Sequence, residues 1–306
     1  MIFKINKHIS SMTLDLIMDN YDVLNTLYLG FYSNVYKCFD RENKKYVAIK
    51  NIKTKLSDPE DIKNELFILE KVKSHPNMVE LIARSKNLFV FLFYPDTLTS
   101  MMEKRIIPPD MRKLFVRQIL EGVSFLHSQK IIHLDLKPCN SMIDEKQNIK
   151  IGDFGISFSF ENDYYDPFFL EEGEETHQIQ TLQYRAPEIL LGTKRYTNTV
   201  DIWSVGCIFG GMVINKSLFP GDSEIGQLRE IFKVLGTPNN EVWEGVEDYP
   251  LYNRISKIFS PPYERDLGRK FPEITEEITI IEKLLEYNPE KRTSAEELLK
   301  DVFLIL

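Results

Sequence analysis

Hydrophobic positions fall into two rhythms along the chain, and the change between them lies near Pro95. Tyr21–Tyr28, Val35–Asp40 and Tyr46–Asn51 are rich in β-branched and aromatic residues, and turn-forming stretches at 30–34 and 41–44 separate them. Such runs predict strands. Ile62, Leu66, Leu69 and Val72 recur at helical spacing, so Pro59–Lys73 is predicted as a helix that starts at Asp58-Pro59. Leu81–Ala83 and Leu88–Tyr94 read as two further short strands. The order β, β, β, α, β, β describes a small sheet with one helix.

Beyond Pro95, Met111–His127 is an amphipathic helix with Leu114, Ile119, Val123 and Leu126 available for burial. Ser141–Asp144 and Ile149–Ile151 read as a hairpin around Glu145–Asn148. Helical patterns dominate from Val200 and end with Glu276–Glu286 and Ser294–Phe303. The expected fold class is α+β. A short extension (1–20) precedes a small β-rich lobe with one helix (21–94) and a larger, mainly helical lobe (95–306).

Composition narrows the classes. With 306 residues, 43% hydrophobic and 27% charged, the chain can bury the core of one large domain or two lobes. A net charge of -8 argues against nucleic acid as a partner. Three separated cysteines, without a C-x-x-C pair, argue against a disulfide framework or a zinc site. The N-terminal apolar run is too short for a signal peptide, and no 18-residue apolar stretch occurs. The expectation is a soluble intracellular protein, cytoplasmic or nuclear, with no membrane partner.

Four groups then stand out: Lys50 closing Val47-Ala48-Ile49-Lys50, Asp135, Asn140, and Asp153 opening Asp153-Phe154-Gly155. Phosphoryl transfer asks a protein for positioned phosphates, charge-offsetting metal ions and an acceptor held in line. A strand lysine can fix phosphates, asparagine and aspartate offer hard oxygen ligands to Mg²⁺, and a further aspartate can orient a hydroxyl and accept its proton. Each motif alone is weak. A lone VAIK is usually a buried strand ending in a surface lysine, and a lone DFG is usually a turn. The weight lies in their order and spacing.

In that order they resemble the protein kinase signature set, over roughly Tyr21 to Leu299. The resemblance implies a bilobal kinase that uses ATP and Mg²⁺ to phosphorylate Ser or Thr of a protein substrate. It implies Asp135 as catalytic base and Lys137 as a phosphate contact, with Asn140 and Asp153 as metal ligands. Lys50 would contact the α/β-phosphates and pair with Glu65. Gly30, Val35, Ala48, the gatekeeper Phe91 and the hinge Leu92-Phe93-Tyr94 would surround the nucleotide. Glu188 of Ala186-Pro187-Glu188 would pair with Arg292, and Asp201 would brace the catalytic loop. Tyr184–Glu188, Phe219–Ser223 and Leu235–Pro238 are similar to the cyclin-dependent kinase branch of the CMGC group. That likeness implies cell-cycle or transcription control, a monomeric catalytic subunit, an activation loop carrying Thr176 and Thr181, and a cyclin-like subunit or another kinase as candidate partner. Arg185 suggests proline-directed specificity.

The departures are specific. Tyr28 and Ser33 replace two loop glycines and leave Gly30, while Tyr32 stands where relatives carry a phosphotyrosine. Asn64, Leu134 and Phe158 stand where cyclin-dependent kinases place three arginines around a phosphothreonine, so a phosphate on Thr176 would lack that clamp. Lys63 replaces an apolar cyclin contact, and loss of both the clamp and that contact resembles the divergent, single-subunit kinases that activate cyclin-dependent kinases. The 161–175 segment is acidic and aromatic: a solvated loop, or a selector for basic partners. The worn glycine loop and the absent arginine before Asp135 keep a pseudokinase scaffold as the alternative.

Overall fold

The computed structural model describes residues 20–54, 56–159, 180–195, 197–272 and 275–305. The chain divides into two compact units: residues through Lys63 together with Val79–Tyr94, and Asn64–Met78 together with Pro95 onward.

In the first unit, β1 (Tyr21–Leu29), β2 (Ser33–Asp40) and β3 (Lys45–Ile52) form an antiparallel meander. Helix α1 (Pro59–Val72) follows, with Asp58 accepting from Glu60 N at 2.8 Å, and its residues from Asn64 group with the second unit. After it, β4 (Leu81–Ser85) and β5 (Leu88–Leu92) complete a five-stranded sheet in the order β1-β2-β3-β5-β4. Alternation along β2, β3 and β5 buries Tyr36, Cys38, Val47, Ile49, Leu88 and Val90 in one apolar cluster. On the opposite face, register pairs Val35 with Lys50 and Ala48 with Phe91. At the β1 edge the ladder slips twice, between Val23 and Asn25 and between Thr26 and Tyr28. The two skipped residues, Leu24 and Leu27, are exposed.

The second unit contains β6 (Asp96–Thr97), α2 (Leu98–Lys104) and α3 (Pro109–Ser128). Three short strands follow: β7 (Ile131–Ile132), β8 (Ser141–Ile143) and β9 (Ile149–Ile151). β6, β8 and β9 make a three-stranded sheet, and β7 pairs with β10 (Phe158–Ser159). α4 (Pro187–Leu190), α5 (Thr199–Ile214) and α6 (Glu224–Leu235) follow, then α7 (Tyr252–Ile258) and α8 (Glu276–Leu284). α5 is apolar all round, is buried from Val200 to Met212, and packs between α3 and α8. A helix hydrophobic on every side belongs in a core, so its polar residues must find partners there.

Two expectations are corrected, for Leu114 and for Ser294–Phe303. Leu114 is exposed, because it lies nine residues before Val123, about half a turn out of phase at ~100° per residue. Phe115, Val116 and Leu120 fill that face instead. On α1 the buried set is Glu65, Ile68, Leu69 and Val72, while Ile62 and Leu66 are only half-buried. Ser294–Phe303 is two short helices, α9 (Ala295–Leu298) and α10 (Val302–Ile305). The chain tightens at Asp301, whose amide donates to Leu298 O and whose carboxylate accepts from Phe303 N at 3.0 Å.

α3 and α8 are tied by a buried bidentate pair, Arg112 Nε and Nη2 to Glu277 at 2.8 and 2.6 Å, with Nη1 donating to Ile107 O. Breaking such a pair strands a buried charge, whereas an exposed pair is nearly neutral. Glu277→Ala is therefore expected to cost about 3–5 kcal/mol in urea unfolding. Glu296→Ala, which removes the exposed partner of Lys300, should cost less than about 0.5 kcal/mol.

Candidate active site

The site is built on Asp201, a fully buried carboxylate in the first turn of α5. Its Oδ2 accepts from His133 N at 2.9 Å and its Oδ1 from Leu134 N at 3.0 Å; His127 Nε2 lies 3.0 Å from Oδ2. These bonds hold the 133–140 loop at a strained point, since Leu134 has φ +65° and is buried. A β-carbon disfavours that region by about 1–3 kcal/mol, and the two charge-assisted bonds offset it.

His133 is consumed by structure. Its Nδ1 accepts from Asp135 N at 3.2 Å, so its Nε2 carries the proton and donates to Gly152 O at 3.1 Å. Its ring lies against the buried Phe154, centroids 5.1 Å apart. Gly152 N donates to Asn140 O at 3.0 Å. The histidine and Asn140 thus pin the residue before Asp153, which has φ +66° and is exposed.

Around Asp135 the polar groups converge. Oδ1 accepts from Thr181 Oγ1 at 2.7 Å; Oδ2 faces Lys137 Nζ at 2.7 Å and Asn140 Nδ2 at 3.1 Å. Lys137 also donates to Thr181 Oγ1 at 2.9 Å, and Asn140 Nδ2 to Asp135 O at 2.9 Å. Burial presses the Lys137 ammonium toward neutrality, but the Asp135 carboxylate outweighs it and holds its pKa above the usual lysine range. The Asn140 amide group points at Asp135, leaving its oxygen for another partner; among the described residues the weak Cys139 Sγ donor lies 3.7 Å from it. Among the described residues no cluster of three His, Cys, Asp or Glu could hold a metal by itself. Asn140 and Asp153 are hard oxygen donors suited to a small divalent cation that takes its remaining ligands from phosphate or water.

Further residues of the second unit fall in place around this core. Arg292 donates from Nη1 and Nη2 to Glu188 at 2.8 and 3.1 Å, and its Nε donates to Glu286 O. Asn64 Nδ2 donates to Ser157 O at 2.7 Å, and Ser157 Oγ to His133 O at 2.9 Å. Phe158 lies opposite Ile132 across the β7–β10 pair. Glu65 is buried on α1. In the first unit Lys50 sits on β3, between Val35 and Phe89. Leu92 spends its amide on Glu80 O, and Tyr94 OH accepts from Glu80 N. Gly30 N donates to Ser33 O, and Lys53 Nζ to Gly30 O at 2.6 Å. The Tyr28 ring fills the space where a Gly30 Cβ would stand, and Tyr32 is exposed. Thr176, Phe160 and the 161–175 segment lie outside the described residues. Sequence patterns do not single out Gln180 and Ser204, which prove to be buried and hydrogen-bonded. The one available signal is a serine inside the apolar run of α5.

A protein kinase domain model matches residues 21–304. The chain is 37% identical over 294 residues to a cell division control protein 2 homolog 3 from Trypanosoma brucei brucei, covering 92% of this chain and 91% of that protein. Among the described residues no helix is long and apolar enough to cross a membrane. The loop held by Asp201, the carboxylate–ammonium–amide cluster it carries and these matches agree: the chain belongs to the protein kinase family, in its cyclin-dependent-kinase-like CMGC branch.

Proposed function

We propose that this kinase transfers the γ-phosphoryl group of ATP to serine or threonine hydroxyls of protein substrates. The observation that carries the reading is the Thr181 hydroxyl held between the Asp135 carboxylate and the Lys137 ammonium. A substrate hydroxyl needs the same two neighbours: a carboxylate to orient it and take its proton, and a cation beside the phosphoryl oxygens. As the acceptor oxygen bonds to phosphorus and the bond to the β-phosphate oxygen breaks, the hydroxyl proton passes to Asp135. Lys137 offsets charge on the transferred group. Asn140 Oδ1 and the Asp153 carboxylate are assigned to Mg²⁺, which when bound neutralises phosphate charge. Lys50, with Val35, Ala48 and Phe91 on the same sheet face, is assigned to the nucleotide, together with Gly30 and the Leu92–Tyr94 stretch.

Serine/threonine preference is supported by Lys137 beside Asp135 and by the bond both make to Thr181. A proline after the acceptor is supported by Arg185, whose Nη2 donates to Gln180 O at 3.0 Å. That carbonyl is taken, so it does not call for an N–H from the substrate. The relative's name, a cell division control protein, supports a role in cell division. Lys63 is exposed and pairs with Glu60 in its own helix at 2.9 Å, which supports action without a conventional cyclin.

Two outcomes test this. Asp135→Asn is expected to lower kcat at least about a hundredfold in phosphorylation of a basic protein by the purified chain alone. Equal rates in variant and wild type would mark a scaffold. The second concerns regulation. Asn64, Leu134 and Phe158 hold their segments by an amide–carbonyl bond, burial and strand pairing, and supply no arginine to a phosphate. Thr176→Ala should therefore change kcat by less than about tenfold, or ~1.4 kcal/mol. A larger loss returns control to that threonine.

A further inference from the structure

The stretch that joins β1 to β2 carries one glycine, Gly30, among three exposed rings. Phe31 and Tyr32 meet edge to face with centroids 4.9 Å apart, and the Tyr28 ring fills the space beside Gly30. Without a β-carbon, residue 30 can rotate the peptide that follows it at little cost. Lys53, the first residue after β3, removes that freedom. Its ammonium donates to Gly30 O at 2.6 Å and its amide to Tyr32 O at 2.8 Å. One residue therefore holds two carbonyls of one turn, while Gly30 N closes the turn on Ser33 O at 2.9 Å.

Lys53 has a firm base. Beside it, Ile52 N donates to Asn87 O at 2.9 Å, and Asn87 Nδ2 donates to Ile52 O at 2.8 Å and to Asn51 Oδ1 at 2.7 Å. Lys53 O accepts from Leu56 N at 2.8 Å. The lysine is half-buried, so its bond to the Gly30 carbonyl is partly shielded from competing water. All of these residues belong to the first unit.

The clamp has a consequence for the loop amides. A planar trans peptide points its N–H opposite to its C=O, and the peptides after Gly30 and Tyr32 are both trans. With these two carbonyls turned to Lys53, the N–H groups of Phe31 and Ser33 face the other way. Rotation of the Gly30 peptide would put an oxygen where the Phe31 N–H stands and set a negative dipole end against any anion there.

We propose that Lys53 is a positioning residue for nucleotide binding. It holds the Gly30 and Tyr32 carbonyls back, and so presents the Phe31 and Ser33 amides to the phosphates. Order that comes from this side chain serves a loop in which Tyr28 and Ser33 stand in place of two glycines. The inference rests on the assignment of the loop to ATP and adds a residue that does not itself touch the nucleotide.

The test uses the purified full chain. A fluorescent ADP analogue is titrated with Mg²⁺ present, amide hydrogen exchange over residues 28–34 is followed without nucleotide, and kcat and KM for ATP are measured separately. Lys53→Met keeps the aliphatic stem and removes the donor. The expected result is a rise of about five- to tenfold in Kd for the analogue and in KM for ATP, with kcat changed by less than about twofold. Exchange over the loop should be faster. Lys53→Arg keeps a charged donor and should stay within about threefold of wild type in Kd; a loss as large as that in Lys53→Met overturns the proposal. Unchanged Kd in a Lys53→Met chain that melts cooperatively also overturns it. So does a raised Kd with unchanged exchange, which marks a charge acting at a distance. Should Lys53→Met fail to fold, Lys53→Gln decides by the same readings. A wild-type chain that binds the analogue yet phosphorylates no protein defeats the phosphoryl-transfer reading alone, and Lys53 is still judged by Kd and exchange. A wild-type chain that binds no nucleotide defeats the assignment of the loop and this proposal together.

Discussion

The described part of the site depends on one buried carboxylate. Asp201 is fully buried in its helix, and it offers both oxygens to the backbone of a loop that would otherwise relax. Because those donors are peptide N–H groups, the constraint falls on backbone position and not on any one side chain of the loop. Asp135, Lys137 and Asn140 inherit their placement from it. The same helix turns a second polar residue, Ser204, toward the 180–186 segment. α5 is thus a reference axis for groups that are distant in sequence.

Asn64, Leu134 and Phe158, the positions where the family resemblance implies three arginines, are each matched by a local contact. Asn64 bonds to a carbonyl, Leu134 is buried at a positive φ, and Phe158 lies in a strand pair. None of these contacts involves a charge, so the arrangement is insensitive to salt within the range that screens surface ion pairs. Two buried ion pairs, Arg292 with Glu188 and Arg112 with Glu277, are bidentate.

Much of this was legible in the sequence, for physical reasons that differ between parts. The β2, β3 and β5 strands were readable because alternation in a half-buried sheet leaves a period of two. The 133–140 and 153–155 motifs were readable because their chemistry needs particular atoms at fixed offsets. What escaped was set by phase and by long-range bonding. Leu114 belongs to an apolar pattern yet points outward. The final helix breaks at Asp301, whose carboxylate is claimed by Phe303 N and by Lys283. Gln180 looks like any loop glutamine until α5 is placed beside it, since the acceptors of its Nε2 lie 20 and 24 residues away.

The two slips in the β1 register carry a consequence for the protein in solution. Among the described strands β1 is an edge, with Leu24, Leu27 and Leu29 exposed along it. A straight edge of that composition would template strand addition from a second molecule and grow into aggregates. Two bulges within nine residues break the even spacing of amide and carbonyl groups that an incoming strand must match. The irregularity that looks like poor pairing therefore works as a guard against polymerisation, and it lets the chain keep an oily strand at its margin.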